Sequence, residues 1–218
     1  MKQRRTTREE SIELKKQLDK LKKLGRIRES RSSSAVNILF IPKQSGALRM
    51  CMDYRPINRV TRRDENKAPL QDMNRHQLQG AKWFTKLDME DGYHRLRIRQ
   101  GDEKYTAFIT EYGLYEWTVM SFGLANAPAE FARFMTHILG EYINEFVTVY
   151  FDDVFIYSNT LEEHQVHVKK VLQRLRDEKI TIKAQKCEFE KAEVDCLGFI
   201  VGGESSRMQP RKIQTVLN

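Results

Sequence analysis

VYFDDVFIYS, residues 149–158, sets two aspartates, Asp152 and Asp153, between two runs of β-branched and aromatic residues. Val147, Val149 and Phe151 fall at alternate positions, and Val154 and Ile156 continue the pattern. This reads as a hairpin with one strongly apolar face. Such hairpins normally turn on Asn-Gly or Asp-Gly, because glycine takes the positive φ that the turn demands. A single Asp in a turn is ordinary. Two adjacent carboxylates without glycine repel each other and call for water or a cation.

A second acidic strand end lies 64 residues earlier (152 − 88). In KWFTKLDMEDGYHRLRI the strand Trp83–Leu87 ends on Asp88, and a turn follows with Glu90, Asp91 and Gly92. If the two elements are neighbours in one sheet, Asp88, Asp152 and Asp153 meet at one sheet end. Three carboxylates at that range do not all stay ionised unless cations settle among them. Mg²⁺ suits such a site, since it takes carboxylate oxygens and leaves room for substrate phosphates. Two ions ~4 Å apart clamp the attacking and leaving oxygens of an in-line phosphoryl transfer.

The composition reads as that of a globular, soluble chain. It has 218 residues, 40% hydrophobic and 31% charged, enough for a substantial core. No apolar run approaches the ~20 residues of a membrane span, and MKQRRTTREE has no apolar leader segment. Three cysteines, Cys51, Cys187 and Cys196, form no C-x-x-C pair and read as free thiols. Free thiols suggest an intracellular location, in the cytoplasm or the nucleus. Residues 1–63 hold 18 Lys+Arg against 6 Asp+Glu, or +12, so the rest must carry −4 to give the net +8. A basic first third suggests polyanion binding, and a solvated basic helix is the plainer alternative.

The element order is irregular. Thr7 and Glu10 make a capping box for a helix with Leu14, Leu18 and Leu21 on one face and Gly25 as its stop. AVNILFIPK is a strand, and TAFITEYGLYEWTVM is a hairpin with Gly113 at its turn. Asn126 and Pro128 open a helix over NAPAEFARFMTHILGEYI. A second capping box, Thr160 with Glu163, opens TLEEHQVHVKKVLQRLRDEK, where His164 and His167 are expected on an exposed polar face. VDCLGFIVGG closes the pattern as a strand pair. Helices mixed with antiparallel strands, without βαβ alternation, predict an α+β fold.

Several motifs together resemble one family. LRMCMDYRPINRV, LQGAKWFTKLD, YGLYEWTVMSFGLANAPAEF, VYFDDVFIYS and KCEF followed by VDCLGFIV look like the polymerase core of a reverse transcriptase of the gypsy type of long-terminal-repeat retrotransposons. The match runs in the family's order from about Leu24 to about Gly203. It implies a right-hand polymerase with fingers and palm, the palm an antiparallel sheet with packed helices. Fingers would be residues 1–80 and 96–121, with 1–25 a basic N-terminal helix. Palm would be 81–95 and 122–206, and 207–218 the start of a truncated thumb. The resemblance implies an RNA-directed DNA polymerase, with Asp88, Asp152 and Asp153 catalytic and two Mg²⁺ ions, replaceable by Mn²⁺. Asp88 and Asp152 would bridge both metals with Asp153 in support, and the Met89 carbonyl would reach the nucleotide's metal. Amides of Asp91 and Gly92 would face the triphosphate, and Tyr93 would be the steric gate against a 2′-hydroxyl. Phe122 and Gly123 would pack on the incoming sugar and template. Arg49 would reach the α-phosphate and Lys43 the γ-phosphate. Tyr150, Phe151 and the primer-grip run Leu197, Gly198 and Phe199 would touch nucleic acid. Lys183 or Lys186 would protonate the leaving pyrophosphate.

The implied partners are an RNA or DNA template, a primer and a deoxynucleoside triphosphate. Thumb, connection and RNase H domains would come from the rest of a polyprotein, and the oligomeric state is open. The chain departs from the family at Ser121, where proline is usual, at KAPLQ (67–71), and at the acidic MEDGY after Asp88. Those departures keep a second class in view, a non-catalytic relative that binds nucleic acid or protein.

Overall fold

The computed structural model describes residues 4–42, 46–64, 77–150, 153–196, 198–202 and 205–208. Lys43, Phe151, Asp152, Leu197, the KAPLQ stretch and residues 209–218 lie outside them. The chain forms two compact units, Met1–Asp64 with Asp91–Ala127, and Glu65–Glu90 with Pro128–Asn218.

The first unit begins with helix α1, Arg8–Lys23. Its capping box closes as the sequence predicts: Glu10 N–H donates to Thr7 Oγ1, and Thr7 N–H donates to the Glu10 carboxylate. At the other end Gly25 takes φ +64°. The Arg26 N–H reaches Leu21 O and the Gly25 N–H reaches Lys22 O, which satisfies carbonyls that the helix leaves open. Leu14 and Leu18 are buried with Ile27, Val36, Ile38, Met50, Phe108 and Trp117 in one core.

That core lies against a five-stranded sheet in the order β1-β6-β5-β2-β3. The strands are β1 (Ile27–Glu29), β2 (Val36–Pro42), β3 (Leu48–Met52), β5 (Phe108–Thr110) and β6 (Gly113–Trp117). The β5–β6 hairpin pairs Thr110 with Gly113, so its turn is Glu111-Tyr112 and Gly113 is the first strand residue. Strand β3 is an edge. The α1 residue Gln17 stands in for the missing strand: Nε2 donates to Leu48 O at 2.8 Å, and Met50 N–H donates to Oε1 at 3.2 Å. Both bonds flank Arg49.

The second unit holds a four-stranded sheet in the order β7-β8-β4-β9. Its members are β4 (Trp83–Asp88), β7 (Val147–Tyr150), β8 (Asp153–Ser158) and β9 (Glu188–Lys191). Antiparallel register pairs Lys86 with Phe155, Leu87 with Val154 and Asp88 with Asp153. Opposite residues share a face. One face therefore carries Thr85 and Leu87 together with Val147, Val149, Val154 and Ile156, the described members of the apolar set read from the sequence. The other carries Phe84, Lys86, Asp88, Tyr150, Asp153 and Phe155. Phe84 and Phe155 share a core with Val194, Cys196 and Val201. Those three come from a small sheet of β10 (Val194–Cys196), β11 (Phe199–Gly202) and β12 (Ser205–Met208). The sequence predicts only the first two of its strands.

The helix Leu161–Asp177 packs on β8 and β4. Thr160 Oγ1 accepts from Glu163 N–H, but the Glu163 carboxylate accepts from Asn159 N–H, one residue before the expected partner. The expected exposed histidine face is wrong. His164 is fully buried. Its Nε2 lies 2.8 Å from Thr85 Oγ1 on β4, and its Nδ1 lies 3.0 Å from Ser158 Oγ on β8. His167 Nδ1 shares that Ser158 hydroxyl at 2.9 Å, and its ring stacks on Phe146 with centroids 3.8 Å apart. Two polar residues at helical spacing look like a wet face until the sheet beneath offers hydroxyls to receive them. The helix Ala127–Leu139 is pinned to this layer where Arg174 Nε donates to the Ile138 carbonyl, a cation at a helix C-terminus.

Two expectations follow. Gln17→Ala removes both edge-strand bonds and should lower unfolding free energy in urea by about 1–2 kcal/mol; a value equal to wild type would mean that water replaces the amide fully. Burial, then the neighbouring histidine in the case of His164, lowers the pKa values of His164 and His167 below the ordinary histidine value. The unfolded chain then takes up protons first as pH falls. Stability contributed by the neutral pair should be intact above about pH 6.5 and decline as pH drops below it. Thermal unfolding at pH 7.5, 6.5 and 5.5 should show this slope, and His164→Gln should flatten it.

Candidate active site

The site is built from the end of the β4–β8 pair. Strand β4 delivers Asp88 and β8 begins with Asp153, and the two are register partners. Both side chains are about a quarter exposed. Tyr150 pairs with Asp153 across the β7–β8 hairpin, which leaves residues 151 and 152 between the paired ends. Two like charges directly opposite on a sheet destabilise it, so the cations near them matter. Lys86 Nζ lies 2.9 Å from Asp153 Oδ2. Lys183 Nζ lies 3.4 Å from Asp88 Oδ1, and Lys186 Nζ lies 3.9 Å from Asp88 Oδ2.

Backbone contacts fix the far side. Lys183 N–H donates to Asp88 O and Glu90 N–H to Thr181 O, with Met89 bridged to Ile182 between them. Lys183 is thereby held beside Asp88 through its own backbone. Its ammonium also lies 3.4 Å from the Met89 carbonyl, the atom expected to serve a metal. Two carboxylates and a carbonyl at one sheet end are hard oxygen donors, which fit Mg²⁺. Lysines sit on those oxygens here, so the donor set already attracts positive charge. No group of three His, Cys, Asp or Glu side chains forms a metal cluster among the described residues.

Of the other sequence-predicted residues, Arg49, Asp91, Gly92, Tyr93, Phe122 and Gly123 fall in the first unit, and Tyr150, Gly198 and Phe199 in the second. Asp91 takes a left-handed backbone, φ 54°, and starts the 3₁₀ turn Gly92–Arg95. Its carboxylate is engaged by Arg26 at 2.6 Å, so one of the extra acids after Asp88 is neutralised locally. Tyr93 is buried, and its ring meets Phe122 edge-on at 4.8 Å. His94 stacks on Trp117 at 5.1 Å and meets Phe122 at 5.6 Å. His94 Nδ1 lies 3.0 Å from Met120 O. A carbonyl only accepts, so Nδ1 carries the proton. Burial holds the His94 pKa below its usual value. Phe122 itself is 55% exposed, a large aromatic open to solvent.

Gly123 follows at φ +96°, and a Cβ there would meet Tyr54 Cδ2 at 3.4 Å. The positive φ favours glycine, while a Cβ there would only touch the Tyr54 ring. Tyr54 is buried, and burial raises its pKa. Ser121 Oγ donates to Tyr54 Oη at 3.0 Å, and Tyr54 Oη donates to Thr106 O at 3.3 Å. The serine found where the family usually has proline thus supplies a buried donor. Arg49 is exposed on β3. Gly198 closes the β10–β11 hairpin, its N–H donating to Asp195 Oδ1, and Phe199 pairs with Cys196.

The sequence reading missed Lys86, Arg26 and the Tyr54–Ser121 pair. Lys86 had a signal, since it alternates with Asp88 and so shares its face. Arg26 and Tyr54 had none, because each meets a partner more than sixty positions away.

A family model described as "Reverse transcriptase (RNA-dependent DNA polymerase)" matches residues 41–201. The Transposon Tf2-3 and Tf2-7 polyproteins of Schizosaccharomyces pombe are each 38% identical over 195 residues. The match takes in 89% of this chain and 15% of each polyprotein. Among solved structures, the foamy viral protease-reverse transcriptase dRH in complex with ds DNA gives a TM-score of 0.90 at 23% identity. It covers 100% of this chain and 38% of that one. The native Prototype Foamy Virus Protease-Reverse Transcriptase gives 0.81 at 26% identity, over 94% of this chain and 28% of that one. The α+β architecture of fingers and palm expected from the motifs is the fold these proteins share.

Proposed function

The chain belongs to the reverse transcriptase family, and from that premise we propose that it is the polymerase core of a retrotransposon polyprotein, adding deoxynucleotides to a primer 3′-hydroxyl on an RNA template. The observation that carries the proposal is the register of Asp88 opposite Asp153 at one sheet end, with the Met89 carbonyl beside them. Template, primer and deoxynucleoside triphosphate are the substrates. The small share of the Tf2 polyproteins that the chain spans supports thumb, connection and RNase H being supplied by the rest of a longer protein, within the host cell.

Asp88, Asp152 and the Met89 carbonyl would hold two Mg²⁺ ions, with Asp153 in support. Bound there, the metals supply the positive charge that offsets the triphosphate and the attacking hydroxyl. The chain's own residues do the rest. Lys183, fixed by its backbone bond to Asp88 O, is better placed than the more exposed Lys186 to hand a proton to leaving pyrophosphate. The amides of Asp91 and Gly92, with Arg49 and Lys43, would bind the triphosphate, since an arginine fork or a lysine point charge suits phosphate. Tyr93, braced by Phe122, is a rigid ring suited to exclude a 2′-hydroxyl by contact.

A second reading has one observation in its favour: Lys183 and Lys186 already lie on Asp88, as they would in a relic that binds nucleic acid without chemistry. Primer extension with Mg²⁺ separates the two, because a binding module shifts a labelled primer and never lengthens it.

Asp152→Asn should reduce nucleotide addition by roughly 10³-fold or more while primer binding persists; extension at the wild-type rate would remove Asp152 from the chemistry. Tyr93→Ala should raise ribonucleotide incorporation relative to deoxynucleotide by at least about tenfold, given what lost steric exclusion is worth. An unchanged ratio would end the gate assignment.

A further inference from the structure

Lys86 is a charged residue of the carboxylate face to which the polymerase reading gives no task; Glu188 and Lys191 on β9 share that face. Lys86 sits on β4 two positions before Asp88 and opposite Phe155. Its side chain is 18% exposed. The ammonium has three partners from two other strands: Asp153 Oδ2 at 2.9 Å, the Asp195 carbonyl at 3.4 Å, and the Phe155 ring with its centroid at 5.4 Å. A surface lysine samples many rotamers and gains little from one carboxylate. A lysine held by a carboxylate, a carbonyl and an aromatic face is a fixed charge.

The partners of the two aspartates differ in kind. Asp153 has a short contact to this largely covered lysine. Asp88 has longer contacts, 3.4 Å and 3.9 Å, to Lys183 and Lys186, whose side chains are 37% and 65% exposed. Exposed, longer pairs yield easily to a competing cation, and covered, short ones do not.

We propose that Lys86 is the resident counter-ion of Asp153, a positioning residue that ties this carboxylate to strand β10 and keeps it from direct metal binding. Divalent ions are then held at Asp88, whose loosely paired lysines need only move aside, with Asp152 as the second ligand that the polymerase reading assigns. The metal clause rests on the polymerase reading; the Lys86–Asp153 coupling does not.

The test has two arms, at low ionic strength where charge pairs are least screened. In EDTA, thermal unfolding is measured for wild type, Lys86→Met, Lys86→Arg, Asp153→Asn and the Lys86→Met/Asp153→Asn double variant. Lys86→Met should lower Tm by about 3–8 °C, Lys86→Arg by less than half as much, and the double variant by clearly less than the sum of its singles. Additive losses would overturn the pairing, whether or not the protein polymerises. In the second arm the rise of Tm with MgCl₂ gives a half-saturating concentration. Lys86→Met should lower it roughly threefold to tenfold, because an unpaired carboxylate then faces the ions. Asp88→Asn should raise it more than about tenfold and Asp153→Asn less than about threefold. Equal weakening by both Asn variants would return Asp153 to the metals and overturn the metal clause. No Mg²⁺ response in wild type would defeat the polymerase reading and that clause together, with the EDTA cycle still deciding the ion pair.

Discussion

Two carboxylates face each other at the end of one antiparallel strand pair, and their repulsion is the constraint that the second unit is built around. The backbone register leaves no freedom: Asp88 and Asp153 are partners, so their side chains emerge on one face. The sheet must therefore be stable enough to tolerate the clash. The opposite face provides this with Leu87, Val147, Val154 and Ile156 fully buried, and with a helix fastened through His164 to hydroxyls on both acidic strands. On the acidic face itself, lysines from β4 and from the 183–186 segment bring the opposing charge. Apolar burial thus holds the strands together while cations make the strand ends tolerable.

The first unit answers a different demand, the holding of aromatic rings in defined orientations. Tyr93, His94, Trp117 and Phe122 contact one another through edge and stacked geometries. Such rings carry few rotamers, so an exposed Phe122 can keep its place without being buried. Ser121 and Gly123 on either side of it both lie against Tyr54, one through a hydrogen bond and one beside its ring. The departure from proline at position 121 exchanges a rigid backbone for a buried donor, and the Tyr54 hydroxyl joins Ser121 to Thr106 in one chain of bonds. Similarly, the acidic character of the turn after Asp88 is moderated by Arg26 on Asp91.

Local signals in the sequence carried far. The capping box at Thr7 and Glu10, the stop at Gly25 and the alternating apolar residues of β7 and β8 each act within a few positions, and each appears as read. The order of motifs also led to the family that the comparisons find. Reading failed where a residue's environment is set by a distant strand. His164 and His167 look solvent-facing on a helical wheel, yet the sheet buries one and stacks the other. Strand β12 has weak β character and forms by pairing with β11. Glu163 caps one residue away from its expected target because Asn159 N–H lies within its reach.

The sequence by itself determined most of the elements, the acidic strand ends and the family, because helix caps, strand alternation and ordered motifs are properties of neighbouring residues. It could not say that Lys86 would meet Asp153, that Gln17 would complete an edge strand, or that Ser121 would serve Tyr54. Those contacts join positions that are remote along the chain. Only strand register and helix docking bring them within hydrogen-bonding distance, and that placement follows from burying the whole core at once, not from any segment's own preference.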